Sequence, residues 1–387
     1  MLTNKLVCVT DVPTPYRVHM FDAMAREFEE RGIAFEVYFM ARTVPIRSWE
    51  FTPSEWHFVH HFGGGIHWTR GNTTFHLNPS VVYRIVREKP RWLLIGGGWH
   101  LPTSMALIGA RTVMSGGTTL LWSEANRASM SFRTGIVHGV RQLIASRVDA
   151  VAVPGKIAAE TVRNDWGLTN KPLVPLPNLI DEQLFGARVA ELRARRSDFR
   201  QSFGLSSGDF VVLWPARLDE GTKGILNFLR AVESSVGRGV KVLIAGDGPD
   251  RNEIESWLSS SAISGVTLLG WQREERMLEL YASSDLFLLP SIRDPNPLSV
   301  IEALWAGLPL MISDRCGNWP EAIEPGVNGW VVDPTSQTEM RRAFEAAVQM
   351  TPEERARAGA ASASIAREKF STRPNVKAFA DFLMRVE

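Results

Sequence analysis

Residues 284–329 read SDLFLLPSIRDPNPLSVIEALWAGLPLMISDRCGNWPEAIEPGVNG. The apolar run Leu286–Leu289 has the length of a buried strand and is too short for a helix. The loop behind it carries Asp294, and a helix is predicted to begin near Pro297 with Glu302 on its second turn. Strand, loop and helix in that order are the repeating unit of a parallel α/β sheet. A helix that follows a strand in this way starts at the carboxyl edge of the sheet, where such sheets bind ligands. Two carboxylates eight positions apart, one before the helix and one inside it, suit a ligand with both hydroxyls and phosphates. Carboxylates accept hydrogen bonds from hydroxyls, while free N–H groups and the positive dipole end of the helix face phosphate.

The same rhythm extends along the chain in both directions. Strands are predicted at 6–10, 35–40, 92–95, 119–122 and 150–153, with helical patterns at 18–31, 80–88, 104–114, 134–146 and 156–166. A second series of strands follows at 210–214, 240–244, 266–269, 286–289, 308–312 and 330–332. Between the two series lies KPLVPLPNLIDEQLF (171–185), with three prolines and no helical period, and then an arginine-rich helix over 188–200. The expected fold class is α/β, with two doubly wound, Rossmann-like domains facing each other across a cleft. The first covers 1–178 and the second 179–370, and a C-terminal helix at 371–387 is expected to pack back toward the first. The segment 42–78, dense in Trp, His and Gly, is expected to form loops or a short hairpin.

Composition narrows the function. A chain of 387 residues, 44% hydrophobic and 22% charged, is long enough for two full cores. A net charge of +1 argues against a dedicated nucleic-acid binder. All eight histidines lie between His19 and His138, so the two halves differ in the chemistry they can offer. Cys8 and Cys316 stand far apart, which suits a reducing cytosol and no disulfide framework. The N-terminus passes directly into a strand without a targeting pattern. The longest uncharged run, 92–110, is interrupted by three glycines, a proline and a histidine, and reads as strand, loop and helix, not as a membrane span.

A second group of residues follows the strand at 210–214. WPARLDEGTKGILNF places Arg217 and Lys223 in a strand–loop–helix unit, with Gly221 and Gly224 permitting tight turns. A guanidinium that binds two oxygens and a mobile ammonium make a clamp for a diphosphate. The next strand ends in Gly246-Asp247-Gly248-Pro249, a turn through which a nucleotide could approach the backbone. It departs from the dinucleotide fingerprint, because Arg251 stands where the third glycine belongs. Base contacts are expected near this turn and near Trp271.

On RLDEGTKG, AGDGP, LLPSIRDPNPLSVIEALWAGLPLM, GNWPE and GVNGWVV, the second half resembles the retaining, nucleotide-sugar-dependent glycosyltransferases of the GT-B fold, of the family-four or group 1 type found in bacterial surface polysaccharide assembly. The first half resembles them more loosely, through DVPTPYR and PNLIDEQLF. The resemblance implies that Arg217 and Lys223 bind the donor diphosphate, Glu302 the ribose and Asp294 the transferred sugar. It also places Glu321 near the donor loop. Two positions depart from the pattern: Asp294 stands where Glu is usual, and Pro297 where Gly is usual. Proline lacks an N–H, so the phosphate contacts are expected to shift to the Leu298 and Ser299 amides. No Asp-x-Asp motif occurs in the chain, and neither a metal ion nor any other cofactor is expected.

The first domain is then expected to hold the acceptor, a saccharide or polyprenyl-linked saccharide. DVPTPYR puts Asp11, Tyr16 and Arg17 at one strand end, GGGWHLP puts Trp99 and His100 at another, and WSEANR puts Glu124 and Arg127 at a third. Glu124 is the candidate catalytic carboxylate of this half, alongside Asp294, Glu302, Arg217 and Lys223, and a helix N-terminal carboxylate is its bland reading. His57, His60 and His61 lack the Cys or carboxylate partners of a metal site and are expected to border a loop. Trp92, Trp122 and Trp214 lie in strands and read as core. Arg127, Arg133, Arg141 and Arg147, with Phe132, form either a face for anionic lipid at the cytoplasmic side of the inner membrane or an ordinary solvated helix. A sugar-nucleotide epimerase or a phosphorylase of the same fold is the alternative activity, and a non-catalytic sugar-binding protein is a third reading.

Overall fold

The computed structural model describes residues 1–44, 52–70, 73–114, 116–237 and 239–386, so part of the 42–78 expectation lies outside the described residues. The chain forms two compact units, Met1–Leu179 with Thr372–Glu387, and Ile180–Ser371.

The first unit has a parallel sheet of seven strands in the order β3-β2-β1-β6-β7-β8-β9. The strands are β1 (Thr3–Thr10), β2 (Ala34–Phe39), β3 (Val59–Phe62), β6 (Pro90–Ile95), β7 (Thr118–Trp122), β8 (Ala150–Val153) and β9 (Leu173–Pro175). The central strand β1 shows why both faces are covered. Leu6 and Cys8 join one core with Phe21, Phe28 and Phe379, whereas Val7 and Val9 join another with Ile85, Leu107 and Ile108. Alternate residues point to opposite faces, so an apolar run without alternation demands a helix layer on each side. The C-terminal helix Thr372–Leu383 supplies part of the first layer and packs on the helix Pro15–Glu30. Its seat is pinned by Arg31 Nη2 to Asp381 at 2.7 Å and by the Trp92 indole N–H, which donates to the Leu383 carbonyl at 3.2 Å. Each fully buried Phe or Leu on that helix contributes roughly 1.5–3 kcal/mol.

Two strands, β3 and β9, escape the sequence reading. A hairpin of β4 (Ile66–Arg70) and β5 (Thr73–Leu77) does form within 42–78, but the same region also sends β3 into the main sheet beside β2, with Val37 opposite His60. Nor is the stretch 171–185 a featureless linker. Leu173–Pro175 pairs with β8 as an edge strand, where proline's missing N–H costs little, and helical turns begin at Gln183. The arginine-rich helix expected over 188–200 is broken into short helical pieces from Gln183 to Ser202.

The second unit repeats the plan with six parallel strands in the order β12-β11-β10-β13-β14-β15. They are β10 (Phe210–Pro215), β11 (Val240–Ala245), β12 (Val266–Gly270), β13 (Leu286–Leu289), β14 (Leu310–Ser313) and β15 (Gly329–Val332). In both sheets the first strand of the unit lies inside, and the chain builds outward from one side of it before crossing to the other. The crossing points are β1/β6 in the first unit and β10/β13 in the second. Loops leaving the carboxyl ends of two such strands diverge and open a crevice for ligand.

Candidate functional site

At the β10/β13 crossing the loop after β10 carries Arg217 and Lys223, and the loop after β13 carries Asp294. The structure joins them: Lys223 Nζ is ion-paired with Asp294 Oδ2, both side chains being largely buried. Arg217 is exposed, and among the described residues it makes no ion pair. The pairing gives Asp294 a task that the sequence did not reveal, as counter-ion to Lys223. The Asp294 carbonyl also accepts from the Gly317 N–H at 2.9 Å, fixing its loop against the segment after β14.

The helix after β13 runs over Leu298–Trp305, with Pro297 as its N-cap residue, one position earlier than the first helical place expected for it. No side chain caps this terminus and no acid stands in its first turn, so Leu298 and Ser299 present the first helical N–H groups. By contrast, the helix Ile225–Val232 is capped by the Glu220 carboxylate, which accepts from the Leu226 and Asn227 N–H groups. An anion therefore finds one of these two helix termini open and the other taken.

Glu302 sits one turn into its helix. Its Oε2 accepts from the Tyr281 hydroxyl at 2.7 Å, and the same hydroxyl lies 3.4 Å from the Ser299 carbonyl. Burial pushes the Glu302 carboxyl up to about 7, against the opposing Tyr281 hydrogen bond and with help from Glu274. Tyr281 itself is raised by its burial and by the Glu302 charge. It is 21 residues away in sequence, on the helix Glu274–Ser283, and no motif spacing singled it out.

The glycine turn after β11 has a different reason from the one expected. A Cβ on Gly246 would stand 1.9 Å from the Ala216 carbonyl oxygen, and one on Gly248 2.3 Å from that of Leu218. The Leu218 N–H donates to the Asp247 carbonyl and the Asp250 N–H to the Leu218 carbonyl, both at 3.1 Å. These glycines let the loop bearing Arg217 lie directly on the β11 loop, so their close backbone approach is to protein. Asp247 is exposed and accepts from the Gly248 N–H at 2.8 Å, and Trp271, directly after β12, is 62% exposed. Glu321 lies on the short helix Trp319–Ala322 after β14.

The first unit has its own pocket at the equivalent crossing, β1/β6. It encloses about 260 Å³ and is lined by Asp11, Tyr16, Arg17, Trp99, Glu124 and Trp166 among others. Arg17 donates to the Thr10 hydroxyl and, at 3.2 Å, to Asp11 Oδ1, with its guanidinium 4.8 Å from the Trp122 ring. Burial disfavours its charge, but Tyr16, Asp11 and Glu124 outweigh that and raise it. Tyr16 is raised chiefly by burial. Four of the six acceptor candidates thus share one pocket. His100 and Arg127 do not line it: His100 packs beside Phe75 and Trp99, and the exposed Arg127 pairs with Asp165 at 3.5 Å.

Two further expectations are revised. Arg141 is buried and donates to the Ser131 and Phe132 carbonyls, with the Trp99 and Trp166 rings at 5.5 and 5.9 Å, so it cannot face lipid. Trp122 is buried as expected, yet it also forms a wall of the pocket under Arg17. His61 stacks on Tyr38 and lies 3.2 Å from Glu36, His60 packs against Trp56, and His57 faces Asp22.

Two Rossmann-like units, each with polar loops at its own strand crossing, define the GT-B architecture of glycosyltransferases. Residues 195–364, within the second unit, match the family described as glycosyl transferases group 1. EpsF of Bacillus subtilis (strain 168), named a putative glycosyltransferase, is 31% identical over 180 residues, 45% of this chain and 44% of that protein. The alpha-D-kanosaminyltransferase of Streptomyces kanamyceticus is 29% identical over 185 residues, 47% of each. The match spans less than half the length of these relatives. Anabaena HepE, solved in complex with UDP, shares the fold over 100% of both chains with a TM-score of 0.74 at 15% identity.

Proposed function

We propose that the protein is a retaining glycosyltransferase that moves a hexose-type sugar from a nucleotide-diphosphate-sugar to a saccharide or lipid-linked saccharide in surface polysaccharide synthesis. The observation that carries this reading is the arrangement at the β10/β13 crossing. An exposed Arg217 on the loop after β10, a Lys223 held by Asp294 and an uncapped helix terminus at Leu298 after β13 supply the positive groups that a diphosphate at this crossing would need. The UDP bound to HepE supports a uridine nucleotide as the first donor to test.

In the proposed reaction the acceptor oxygen bonds to the anomeric carbon as the bond from that carbon to the diphosphate oxygen breaks. Attack comes from the leaving-group side, and the departing phosphate takes the acceptor proton, so no protein nucleophile is needed. Arg217, Lys223 and the Leu298 and Ser299 amides stabilise the growing negative charge without a metal ion. Glu302 holds the ribose, and Asp294, beside Lys223, meets the transferred sugar. Tyr16, Arg17, Trp99 and Glu124 form the acceptor pocket, with Glu124 orienting the incoming hydroxyl.

No helix among the described residues is long and apolar enough to cross a membrane. Peripheral contact with the cytoplasmic face of the inner membrane is carried in this reading by exposed Phe132, Ile136 and Leu143, close to Arg133 and Arg147. A thermal-shift screen of nucleotide-sugars, followed by turnover of the stabilising donor with and without saccharide acceptors, tests the function. Transfer that requires acceptor supports it. Conversion of the donor alone to its epimer would replace it with the epimerase reading.

A further inference from the structure

A second cavity, of about 990 Å³, lies within the second unit at the opposite edge of its sheet from Arg217 and Asp294. Its residues include Ser207, Asp285 and Pro309, which precede β10, β13 and β14, and so mark the amino ends of those strands. Five arginines line it, Arg193, Arg196, Arg200, Arg355 and Arg367, against the carboxylates of Asp285 and Glu182. The buried Asp285 is already fully engaged. Its Oδ1 meets Arg196 at 2.7 Å and Arg355 at 3.4 Å, while its Oδ2 accepts from Arg200 at 2.6 Å and from the Val211 N–H at 2.8 Å.

One carboxylate thus serves three guanidiniums, and among the described residues Arg193 beside them is hydrogen-bonded only to the Ala306 and Gly307 carbonyls. Arg200 is a structural member, since it also donates to the Ser283, Ser207 and Asp209 carbonyls. Arg193 and Arg196 keep N–H groups for which the described residues offer no acceptor. Burial, with Arg196 adding to it, pushes the Arg193 guanidinium down to about 10, as expected for positive charge that lacks a partner. Accumulated, partly desolvated guanidiniums are costly unless an anion completes them. The remaining walls, including Gly186, Ala187, Ala190, Ala356 and Ala360, are small and leave room for the uncharged part of a ligand.

We propose that this arginine cavity is a second anion site that binds a phosphate-bearing ligand, separate from the candidate donor site, with Arg193 and Arg196 as its principal contacts. Planar guanidiniums grip phosphate oxygens in pairs, which selects phosphate over a monovalent anion. The phosphate could belong to a soluble metabolite or to a lipid headgroup, and the experiment separates the two. The inference does not depend on the function proposed above.

The test is calorimetric titration of inorganic pyrophosphate into the full chain carrying Arg217→Ala and Lys223→Ala, in which the donor clamp is disabled. Saturable binding is expected, weakened at least tenfold when Arg193→Ala and Arg196→Ala are added. Should that second pair compromise folding by circular dichroism, Arg193→Lys with Arg196→Lys replaces it, and a several-fold loss is expected from the lost paired geometry. Co-sedimentation with vesicles of phosphatidylcholine containing phosphatidic acid forms the other arm. Vesicle binding that pyrophosphate displaces identifies a lipid headgroup, and pyrophosphate binding without vesicle binding identifies a soluble ligand. No binding in either arm, or binding indifferent to Arg193 and Arg196, overturns the proposal.

Discussion

Under the proposed assignment to the ribose, Glu302 ties nucleotide binding to pH in a way that can be worked out from its surroundings. Burial, with help from Glu274, pushes its carboxyl up to about 7 against the opposing Tyr281 hydrogen bond. A ribose donating two hydroxyls needs the ionised form, so its arrival must expel a proton. At pH 6.5 the free protein holds about three quarters of a proton there, and binding releases about that amount. Affinity then falls as pH drops, by about tenfold at pH 6 relative to alkaline conditions, or ~1.4 kcal/mol. The sign in the absence of ligand is opposite. The folded state holds a proton that the unfolded chain has released, so the group's contribution to stability declines as pH rises from 4.5 to about 7.

The assay is titration of a nucleotide-sugar, whose phosphates do not ionise in this range, in two buffers of different ionisation enthalpy. Proton release appears as a buffer-dependent heat, and Glu302→Gln should abolish it. Every histidine lies outside the second unit, between His19 and His138, so none competes for the signal at this site. Affinity and heat that are independent of pH and buffer in the native chain would refute the assignment of Glu302 to the ribose.

Asp294→Asn should behave differently from Glu302→Gln, since it removes the counter-ion of Lys223. Free nucleoside diphosphate should bind as well as before or more tightly, while turnover falls, and an equal loss of nucleotide in both variants would show that the roles are misassigned. Transfer should survive excess EDTA, since in the proposed mechanism Arg217, Lys223 and the helix terminus take the place of a metal, and a loss restored by magnesium or manganese would overturn that account. Gly246→Ala should cost about 3 kcal/mol or more in chemical denaturation, as its Cβ would meet the Ala216 carbonyl oxygen at 1.9 Å and its φ is +152°. An unaltered denaturation midpoint would mean that the two loops are not in contact.

What the sequence made legible follows from what a local pattern can encode. The buried strands announce themselves as short apolar runs, and residues directly after their carboxyl ends fall where topology requires. That is why four of the six residues expected at converging strand ends, Tyr16, Arg17, Trp99 and Glu124, line one pocket. Partners distant in sequence stayed hidden. Tyr281 bonds Glu302 across 21 positions, and Lys223 meets Asp294 across 71. The glycines of the β11 turn announced a close approach without naming the neighbour, which proved to be the β10 loop. Arg141 carried the charge pattern of a solvated face, but the Trp99 and Trp166 rings that enclose it come from other elements. Edge strands β3 and β9 gave weak signals because half-buried histidines and edge prolines dilute the β pattern.

The diphosphate clamp is best examined by calorimetric titration of a free nucleoside diphosphate into the native chain and into the variant carrying Arg217→Ala and Lys223→Ala. Each lost charge-assisted contact is worth about 1.5–3 kcal/mol, so the pair should weaken binding by at least about 100-fold while circular dichroism and melting stay native. Nucleoside-diphosphate binding that survives at near-native affinity in the folded double variant, and persists when Arg193→Ala and Arg196→Ala are added to silence the arginine cavity, would contradict the placement of the donor site at the β10/β13 crossing.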